Sequence, residues 1–213
     1  MGIFSELLQI QKGVTALIGS GGKTSLLYRL ARELAEEGSV LVCTSTHILP
    51  PDHIPVAERT GEVRGVLCVG TPCENGKLTA PRQSFQELAA LADYVLVEAD
   101  GSKRLPLKAH LAHEPVIPPN AGNVILVVGA SGLNRPVGEA VHRPEQFSLL
   151  SGSDIATPRA VATVLEKEAL HHRVLINQAD SPLRSEAALA LAKLLSCPVA
   201  VVSLQKGEIL CSY

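Results

Sequence analysis

A short glycine-rich segment constrains the fold of this chain more than any other feature. It consists of Gly19, Ser20, Gly21, Gly22, Lys23, Thr24 and Ser25. It follows the apolar run 14–18 and precedes a helix-like stretch at 26–37. A glycine-rich turn lets consecutive backbone N–H groups converge on one anion, and the following helix adds the positive end of its dipole. The segment therefore predicts a phosphate-binding loop, in which Lys23 contacts phosphate and Thr24 contacts a magnesium ion.

This loop is shorter than the common P-loop, which places a glycine where Leu17 stands. The compressed form G-x-G-G-K-T-S resembles the loop of the Mur ligases, which holds a nucleoside triphosphate. A dinucleotide site is a competing interpretation, but its fingerprint needs a third glycine where Thr24 stands. A glycine-rich turn with an exposed lysine and no ligand is the remaining alternative.

The composition of the chain favours an α/β fold. Hydrophobic residues make up 46% of the 213 residues and aromatic residues only 3%, so Val, Leu, Ile and Ala must form the core. Such a core is typical of a parallel sheet covered by helices. We predict a P-loop-type, doubly wound, mostly parallel sheet with helices on both faces. One nucleotide-binding domain is expected over 1–213, with a small peripheral hairpin around 66–80.

Alternating apolar runs and helical patterns give the expected order of elements. Strands are predicted at 40–43, 66–69, 77–79, 94–97, 124–128, 174–176 and 199–202. Helices are predicted at 26–37, 84–91, 144–150, from 157 onward and at 180–195. The proline-rich stretch 47–65 is predicted to be a long surface loop.

Charge and cysteine content exclude several classes of partner. The formal net charge of −2 provides no basic surface for nucleic acid or for an anionic membrane. The N-terminal ten residues lack a basic region and are too short to span a membrane. Five scattered cysteines without paired metal spacing indicate a reducing compartment, so we expect a cytoplasmic protein.

Two acidic residues follow the predicted strand 94–97. Glu98 and Asp100 are two positions apart, so they project to the same side if the strand continues. A magnesium nucleotide needs a hydroxyl and a carboxylate on its octahedral cation. We therefore expect Thr24, Glu98 and Asp100 at the metal, with one of the acids orienting water. Solvated loop acids at a strand end are the alternative.

Further polar residues cluster near the ends of these strands. Thr46 and His47 follow strand 40–43 and are candidates for substrate contact, or they satisfy local backbone groups. Lys103, Arg104 and Lys108 follow Asp100 and are candidates for holding an anionic substrate or completing the phosphate site. Solvated surface charges explain these three residues equally well.

The segment Asn177-Gln178-Ala179-Asp180 follows strand 174–176 and is similar in position to the base-reading Asn-Lys-x-Asp motif of GTPases. In such a motif Asp180 accepts hydrogen bonds from a guanine ring, while Asn177 braces the loop. The same residues can instead cap the following helix. Because Gln178 replaces the lysine, the sequence leaves both ATP and GTP open.

Five segments together resemble one family. They are I-G-S-G-G-K-T-S at 18–25, T-S-T-H at 44–47, V-E-A-D-G-S-K-R-L-P-L-K at 97–108, H-R-P-E at 142–145 and N-Q-A-D at 177–180. The chain resembles the YqeC-type selenium-dependent hydroxylase accessory family over nearly its whole length. The resemblance implies a cytoplasmic nucleotide-binding protein that assists maturation of molybdenum hydroxylases. Its implied partner is such a hydroxylase or a donor of a selenium-containing cofactor.

The sequence-based hypothesis is Mg²⁺-dependent binding and hydrolysis of ATP or GTP. Gly19–Thr24 hold the phosphates, Lys23 balances charge, Thr24 and Glu98 hold magnesium, and Asp100 positions water. One alternative is a nucleotide-switched chaperone or scaffold with negligible turnover. Another is a small-substrate kinase or ligase. A selenium-carrying cysteine is a minor option, with Cys68 or Cys73 as candidates.

Overall fold

The computed structural model describes residues 2–213. Seven α-helices occur in this part of the chain: α1 Ile3–Leu7, α2 Lys23–Leu34, α3 Phe85–Ala89, α4 Val137–Ala140, α5 Pro144–Ser151, α6 Pro158–Glu168 and α7 Pro182–Ala192. Short 3₁₀ turns lie at Glu74–Gly76 and Ala130–Gly132.

The strands alternate with these helices. Their bounds are β1 Gly13–Gly19, β2 Val40–Thr44, β3 His47–Ile48, β4 Val56–Ala57, β5 Val66–Val69, β6 Thr71–Pro72, β7 Leu78–Thr79, β8 Tyr94–Glu98, β9 Leu107–Lys108, β10 Ala121–Gly129, β11 Val141–His142, β12 Arg173–Asn177, β13 Val199–Ser203 and β14 Glu208–Ser212. The chain divides into two compact units.

The first unit comprises residues 2–18, 24–101 and 116–124. Its strands lie side by side in the order β1-β8-β2-β5-β4, and each neighbouring pair is parallel. Every residue of β2 and β8 is buried, which is typical of central strands in a parallel sheet. A core of small aliphatic side chains stabilises this unit, including Val14, Leu41, Val69, Leu88, Val95 and Val97.

The second unit comprises Gly19–Lys23, Ser102–Pro115 and Ile125–Tyr213. Its strands lie in the order β10-β12-β13-β14, with only the last pair antiparallel. Helix α6 packs against α5 and α7, and α7 packs against β13. Most residues of the parallel strands β10, β12 and β13 are buried. The turn that follows each of these strands therefore begins at the carboxyl edge of a buried strand.

The predicted α/β class is confirmed, since parallel strands alternate with helices in both units. Several elements match closely: Ser84 caps α3 in a capping box with Glu87, and Thr157 caps α6. Helix α2 begins at Lys23 rather than at residue 26, so Lys23 belongs to the first helical turn. The expectation of one nucleotide-binding domain over 1–213 stays a prediction.

The segment 66–80 has a different pairing from the one its turn residues suggested. Strand β5 lies in the parallel sheet beside β2 and β4. The antiparallel pair in this segment joins β6 to β7, and β7 also pairs with β3. The turn Glu74–Gly76 reverses the chain between β6 and β7, with positive φ at Asn75 and Gly76.

Strand β14 and helix α1 were not predicted. The residues of β14 are mostly exposed, and its stabilisation comes from antiparallel backbone pairing with β13. The start of α1 is fixed by Glu33, whose Oε2 accepts hydrogen bonds from the backbone N–H groups of Phe4 and Ser5, each 2.9 Å away. Neither the pairing of β14 with β13 nor the hydrogen bonds to Glu33 produce a local hydrophobic pattern that would reveal these elements in the sequence. Within residues 2–213 no helix combines the length and apolarity needed to cross a membrane.

Candidate functional site

The glycine loop has a backbone that only glycine accommodates. Gly19, Gly21 and Gly22 have φ of +87°, +86° and +131°. A Cβ on Gly21 would lie 2.3 Å from the Cα of Gly129, and a Cβ on Gly19 would lie 2.4 Å from the carbonyl oxygen of Val127. Positive φ and close backbone contact both exclude larger residues. The loop is therefore held against β10 by main-chain contacts.

Lys23 lies folded over this loop at the start of α2. Its Nζ donates a hydrogen bond to the carbonyl oxygen of Gly19 at 2.6 Å, and only 4% of the residue is exposed. Ser20 also holds the loop in place, because its N–H donates to the Val127 carbonyl and its hydroxyl donates to the Leu105 carbonyl. The loop thus carries a buried cation beside consecutive backbone N–H groups.

The structure brings Asn177 to the glycine loop. Its Nδ2 donates to the Gly21 carbonyl at 2.9 Å, and its Oδ1 accepts from the N–H of Leu204 at 3.0 Å. A Cβ on Gly22 would lie 2.3 Å from the same Nδ2, so the amide is in close contact with the loop backbone. Asn177 therefore braces the glycine loop, and a role for it in binding a nucleotide stays a prediction.

Asp180 lies two residues beyond Gln178 and contacts a different strand end. Its Oδ1 accepts a hydrogen bond from the hydroxyl of Ser203 at 2.6 Å. Its Oδ2 lies 3.5 Å from Nη1 of Arg184. Helix α7 has Ser181 at its N-cap with no side-chain cap hydrogen bond. The capping alternative for this segment therefore gains no support from α7.

In the first unit, Thr24 and Glu98 meet. The Oγ1 of Thr24 donates to Oε2 of Glu98 at 2.8 Å. Glu98 is the last residue of β8 and pairs in parallel register with Leu17 on one side and Thr44 on the other. Glu98 and Asp100 are both buried. The hydroxyl and carboxylate predicted as magnesium ligands therefore lie within hydrogen-bonding distance.

Thr44 and Thr46 organise the chain where it leaves β2. Thr44 Oγ1 donates to the Glu98 carbonyl at 2.8 Å and accepts from the N–H of Thr46 at 3.0 Å. His47 is exposed at the start of β3, where it pairs with Thr79. The side chain of Thr44 thus bonds to backbone groups on both sides of the chain exit from β2. A substrate role for Thr46 and His47 stays a prediction.

The three basic residues after Asp100 lie in different environments. Lys103 and Arg104 form an exposed turn with positive φ of 49° and 63°. Lys108 is buried, with no exposed side-chain area, and its Nζ lies 2.7 Å from Oε2 of Glu114. Arg143 Nε lies 2.9 Å from Oε1 of the same carboxylate. We call Lys108, Glu114 and Arg143 the Glu114 cluster.

Two residues in and next to the Glu114 cluster, Glu114 and His142, have lowered pKa values. Burial acts to raise the pKa of Glu114, but the hydrogen bonds and charges of Lys108 and Arg143 outweigh it and hold the pKa at about 2. His142, which pairs with Lys108 in β11–β9, has a lowered pKa because it is buried and lies near Lys108 and Arg143. Both shifts favour an ionised Glu114 beside a neutral His142 at neutral pH.

Sequence reasoning missed the partner of His110. Its Nδ1 lies 2.7 Å from Oε2 of Glu168, and its backbone N–H donates to Oε1 of the same residue at 2.6 Å. The two residues are 58 positions apart, so only a tertiary contact could identify the pair. Within residues 2–213 no group of three or more histidine, cysteine or acidic residues is arranged to hold a metal ion.

The cysteine candidates differ in accessibility. Cys68 is buried in β5, and burial raises the pKa of its thiol to about 12. A raised pKa disfavours the thiolate that covalent chemistry needs. Cys73 is partly exposed, and its Sγ lies 3.3 Å from the carbonyl oxygen of Lys77. The environment of Cys68 therefore argues against a selenium-carrying role for that residue.

Comparison with known proteins identifies a family. Residues 15–145 match the family described as YqeC protein, which covers more than half of the chain. A protein of Escherichia coli (strain K12), named "Uncharacterized protein YqeC", is 36% identical over 179 residues. That similarity spans 74% of this chain and 66% of the relative's length. The whole phosphate loop, Glu98 and the Glu114 cluster fall within residues 15–145.

Proposed function

This chain belongs to the YqeC family, and we propose that it binds a magnesium nucleoside triphosphate and hydrolyses it to the diphosphate and inorganic phosphate. We further propose that this reaction assists maturation of selenium-dependent molybdenum hydroxylases in the cytoplasm. The protein partner in this proposal is the hydroxylase or a donor of its selenium-containing cofactor. The resemblance of the motifs to a selenium-dependent hydroxylase accessory family supports the proposed process, and the loop geometry supports the proposed chemistry.

One observation carries the chemical proposal: the backbone conformation of Gly19–Lys23. Three glycines with positive φ lie in one five-residue turn, and the turn leads directly into α2. Turns of this kind present their N–H groups to one anion, and a helix start adds favourable partial positive charge. Lys23 adds a full charge at the same place. This arrangement favours a polyphosphate over a neutral ligand.

The donor set fits a magnesium ion. Mg²⁺ takes oxygen ligands in octahedral geometry, and it keeps several waters while bound through one or two protein oxygens and the phosphates. Thr24, which follows Lys23 in the chain, and Glu98 supply a hydroxyl and a carboxylate oxygen that already lie 2.8 Å apart. When bound, the ion neutralises charge on the phosphates. Asp100 is the residue that we assign to orienting the attacking water.

We assign different residues to the phosphates, the base and the anionic substrate. Gly19, Ser20, Gly21, Gly22, Lys23, Thr24 and Ser25 bind the phosphates. Asp180 binds the base, and Asn177 holds the nucleotide site in place through its contact with Gly21. Lys103 and Arg104 are exposed and therefore accessible to an anionic substrate. Lys108 is buried against Glu114, so its side chain stabilises the second unit.

Phosphate release tests the proposal. The full chain is incubated with Mg²⁺ and either ATP or GTP, and inorganic phosphate is measured with malachite green. Removing one stabilising cation or donor from such a site typically costs about 100-fold in kcat, so Lys23→Ala is expected to release phosphate about 100-fold more slowly. Lys77→Ala is the matched control, because Lys77 is an exposed lysine outside the loop.

The folded state of each variant is checked by circular dichroism, since Lys23 also donates to the Gly19 carbonyl. Equal phosphate release by the wild type and a folded Lys23→Ala variant would contradict hydrolysis at this loop. A rate that does not depend on added Mg²⁺ would contradict the assignment of Thr24 and Glu98.

A further inference from the structure

We propose that the base recognised by this chain is guanine, and that the carboxylate of Asp180 selects it. The inference rests on the proposed nucleotide binding and deepens it, because the sequence alone left adenine and guanine open. It concerns two segments of the second unit, which are the loop 177–180 after β12 and the turn 203–206 after β13.

Hydrogen bonds join these two segments firmly. The N–H of Leu204 donates to Oδ1 of Asn177, and the hydroxyl of Ser203 donates to Oδ1 of Asp180. Lys206 Nζ donates to the Asp180 carbonyl at 3.0 Å. Ser203 is fully buried and also accepts from the Lys206 N–H. The position of the Asp180 carboxylate is therefore fixed by the turn after β13.

The same loop is fastened to the proposed phosphate site. Asn177 donates to the Gly21 carbonyl, so residue 177 and the glycine loop move together. Asp180 lies three residues further along the chain, beside the turn 203–206. A nucleotide whose phosphates lie on the glycine loop would present its base toward this second group of polar atoms. The distance from phosphate contact to base contact is thus set by one short loop.

Asp180 keeps capacity to accept further hydrogen bonds. An ionised carboxylate has about four lone-pair positions on its two oxygens. Ser203 uses one on Oδ1, and Arg184 lies at a long 3.5 Å from Oδ2. The side chain retains 22% of its accessible surface. The carboxylate therefore keeps lone pairs for a ligand while the bond to Ser203 remains.

The chemistry of a carboxylate distinguishes the two purines. Guanine carries two adjacent donors, N1–H and the N2 amino group, which match the two oxygens of one carboxylate. Adenine presents an acceptor at N1, whose lone pair would face the negative oxygens. A site that hydrogen-bonds its ligand rejects an analogue lacking those groups strongly, because its polar atoms are left unpaired. Asp180 accordingly favours guanine.

The other side chains of the loop do not compete for this role. Gln178 has positive φ, and its Oε1 accepts from the hydroxyl of Ser131. A Cβ on Gly129 would lie 2.6 Å from that same Oε1, so the amide is packed over the end of β10. Asn177 is engaged with Gly21 and Leu204. Asp180 is the charged residue of the segment 177–180.

Nucleotide titration tests the inference. Fluorescent GTP, ATP and XTP analogues are titrated into the full chain with Mg²⁺, and Kd is measured for the wild type, Asp180→Asn and Lys23→Ala. We expect GTP to bind at least about 100-fold more tightly than ATP. In Asp180→Asn an amide N–H faces the purine 2-position, so GTP affinity falls about 100-fold and XTP becomes the preferred ligand.

Asp154→Asn is the matched control, because Asp154 is an exposed aspartate of the same unit that also accepts from a serine hydroxyl, that of Ser148. It should keep the wild-type order of affinities. The exchange of GTP for XTP preference is a readout that simple destabilisation of the loop would not produce.

The outcomes separate the inference from the proposal beneath it. If ATP binds as tightly as GTP, and both depend on Lys23, the guanine assignment is overturned while the nucleotide proposal stands. If Asp180→Asn lowers GTP binding without any gain for XTP, Asp180 does not read the base. If no triphosphate binds at millimolar concentration, the proposed function fails and the guanine assignment fails with it.

Discussion

The glycine loop and the Glu114 cluster lie in the same unit, yet different parts of the chain determine their geometry. In the loop, positive φ and close main-chain contacts leave no room for a side chain. In the cluster, one carboxylate is shared by Lys108, six residues before it, and Arg143, 29 residues after it. The loop is therefore a property of its own backbone, whereas the cluster is a property of tertiary pairing.

This difference predicts that changes in the two regions affect ligand binding and stability differently. The loop exposes backbone donors at a helix start, where an anion is favoured. The cluster places two cations on one carboxylate, so most of its charge is neutralised inside the protein. Damage to the loop should therefore reduce both ligand binding and stability, and damage to the cluster should reduce stability alone. Three substitutions test this comparison, taken in order of decreasing effect.

Gly21→Ala should have the largest effect. Its Cβ would lie 2.3 Å from the Cα of Gly129, which is backbone and cannot rotate away, and φ at this position is +86°. Overpacking and left-handed strain together should lower the free energy of unfolding by about 4 kcal/mol. Nucleotide affinity should fall at least about 100-fold, because the loop can no longer close around phosphate. Urea unfolding and nucleotide titration measure the two effects.

Gly138→Ala is the control for this substitution. Gly138 lies in α4 of the same unit, and a Cβ there meets no atom within 4 Å. Alanine in a helix should stabilise the protein by about 0.5 kcal/mol or leave it unchanged. If Gly21→Ala behaves like Gly138→Ala, the backbone of the loop does not have the tight packing described above.

Glu114→Gln should have the second largest effect. The substitution keeps the size of the side chain but removes the charge that Lys108 and Arg143 share. Lys108 has no exposed side-chain area, so losing an ionic partner should cost about 3 kcal/mol of unfolding free energy. Nucleotide affinity of the folded protein should be unchanged, in contrast to Gly21→Ala. Glu139→Gln, in the exposed pair with Arg135, should cost at most about 0.5 kcal/mol.

The pH dependence of stability provides a second readout of the same carboxylate. The folded pKa of Glu114 is about 2, below its ordinary value of 4.5. A lowered folded pKa contributes stability above pH 4.5, and that contribution disappears as the pH falls from 4.5 toward 2. The stability difference between the wild type and Glu114→Gln should therefore be constant near pH 7 and shrink across this window. A difference that is independent of pH would show that charge on Glu114 is not its source.

The same contrast explains which features the sequence could predict. The glycine loop, the capping box at Ser84 and the buried strand ending at Glu98 follow from local patterns, and all three occur in the structure. Each depends on backbone geometry or on residues a few positions apart. The bracing of the loop by Asn177 was expected from a motif, and its 156-residue separation from Gly21 made the motif necessary.

Features that depend on distant side chains could not be predicted in this way. The local sequence around Lys108 does not reveal that the side chain is buried against Glu114. The His110–Glu168 pair joins two segments with no shared motif. Strand β5 has an apolar pattern that identifies it as a strand, but its parallel neighbours β2 and β4 are chosen by tertiary packing. Local propensity specifies elements, and long-range contacts specify their partners.

Asn177→Ala should have the smallest of the three effects, and it sharpens the comparison because Asn177 is a side chain that acts on the loop from outside it. Its removal takes one hydrogen bond from the Gly21 carbonyl and one from the Leu204 N–H. Leaving such groups without this partner should cost about 2 kcal/mol of unfolding free energy. The φ angles of Gly19, Gly21 and Gly22 do not depend on this amide, so phosphate binding should weaken rather than disappear. Asn120→Ala, at an exposed turn, should change stability by at most about 0.5 kcal/mol. If Asn177→Ala abolishes nucleotide binding as completely as Gly21→Ala, the loop is not determined by its own backbone, and the distinction between the two regions fails.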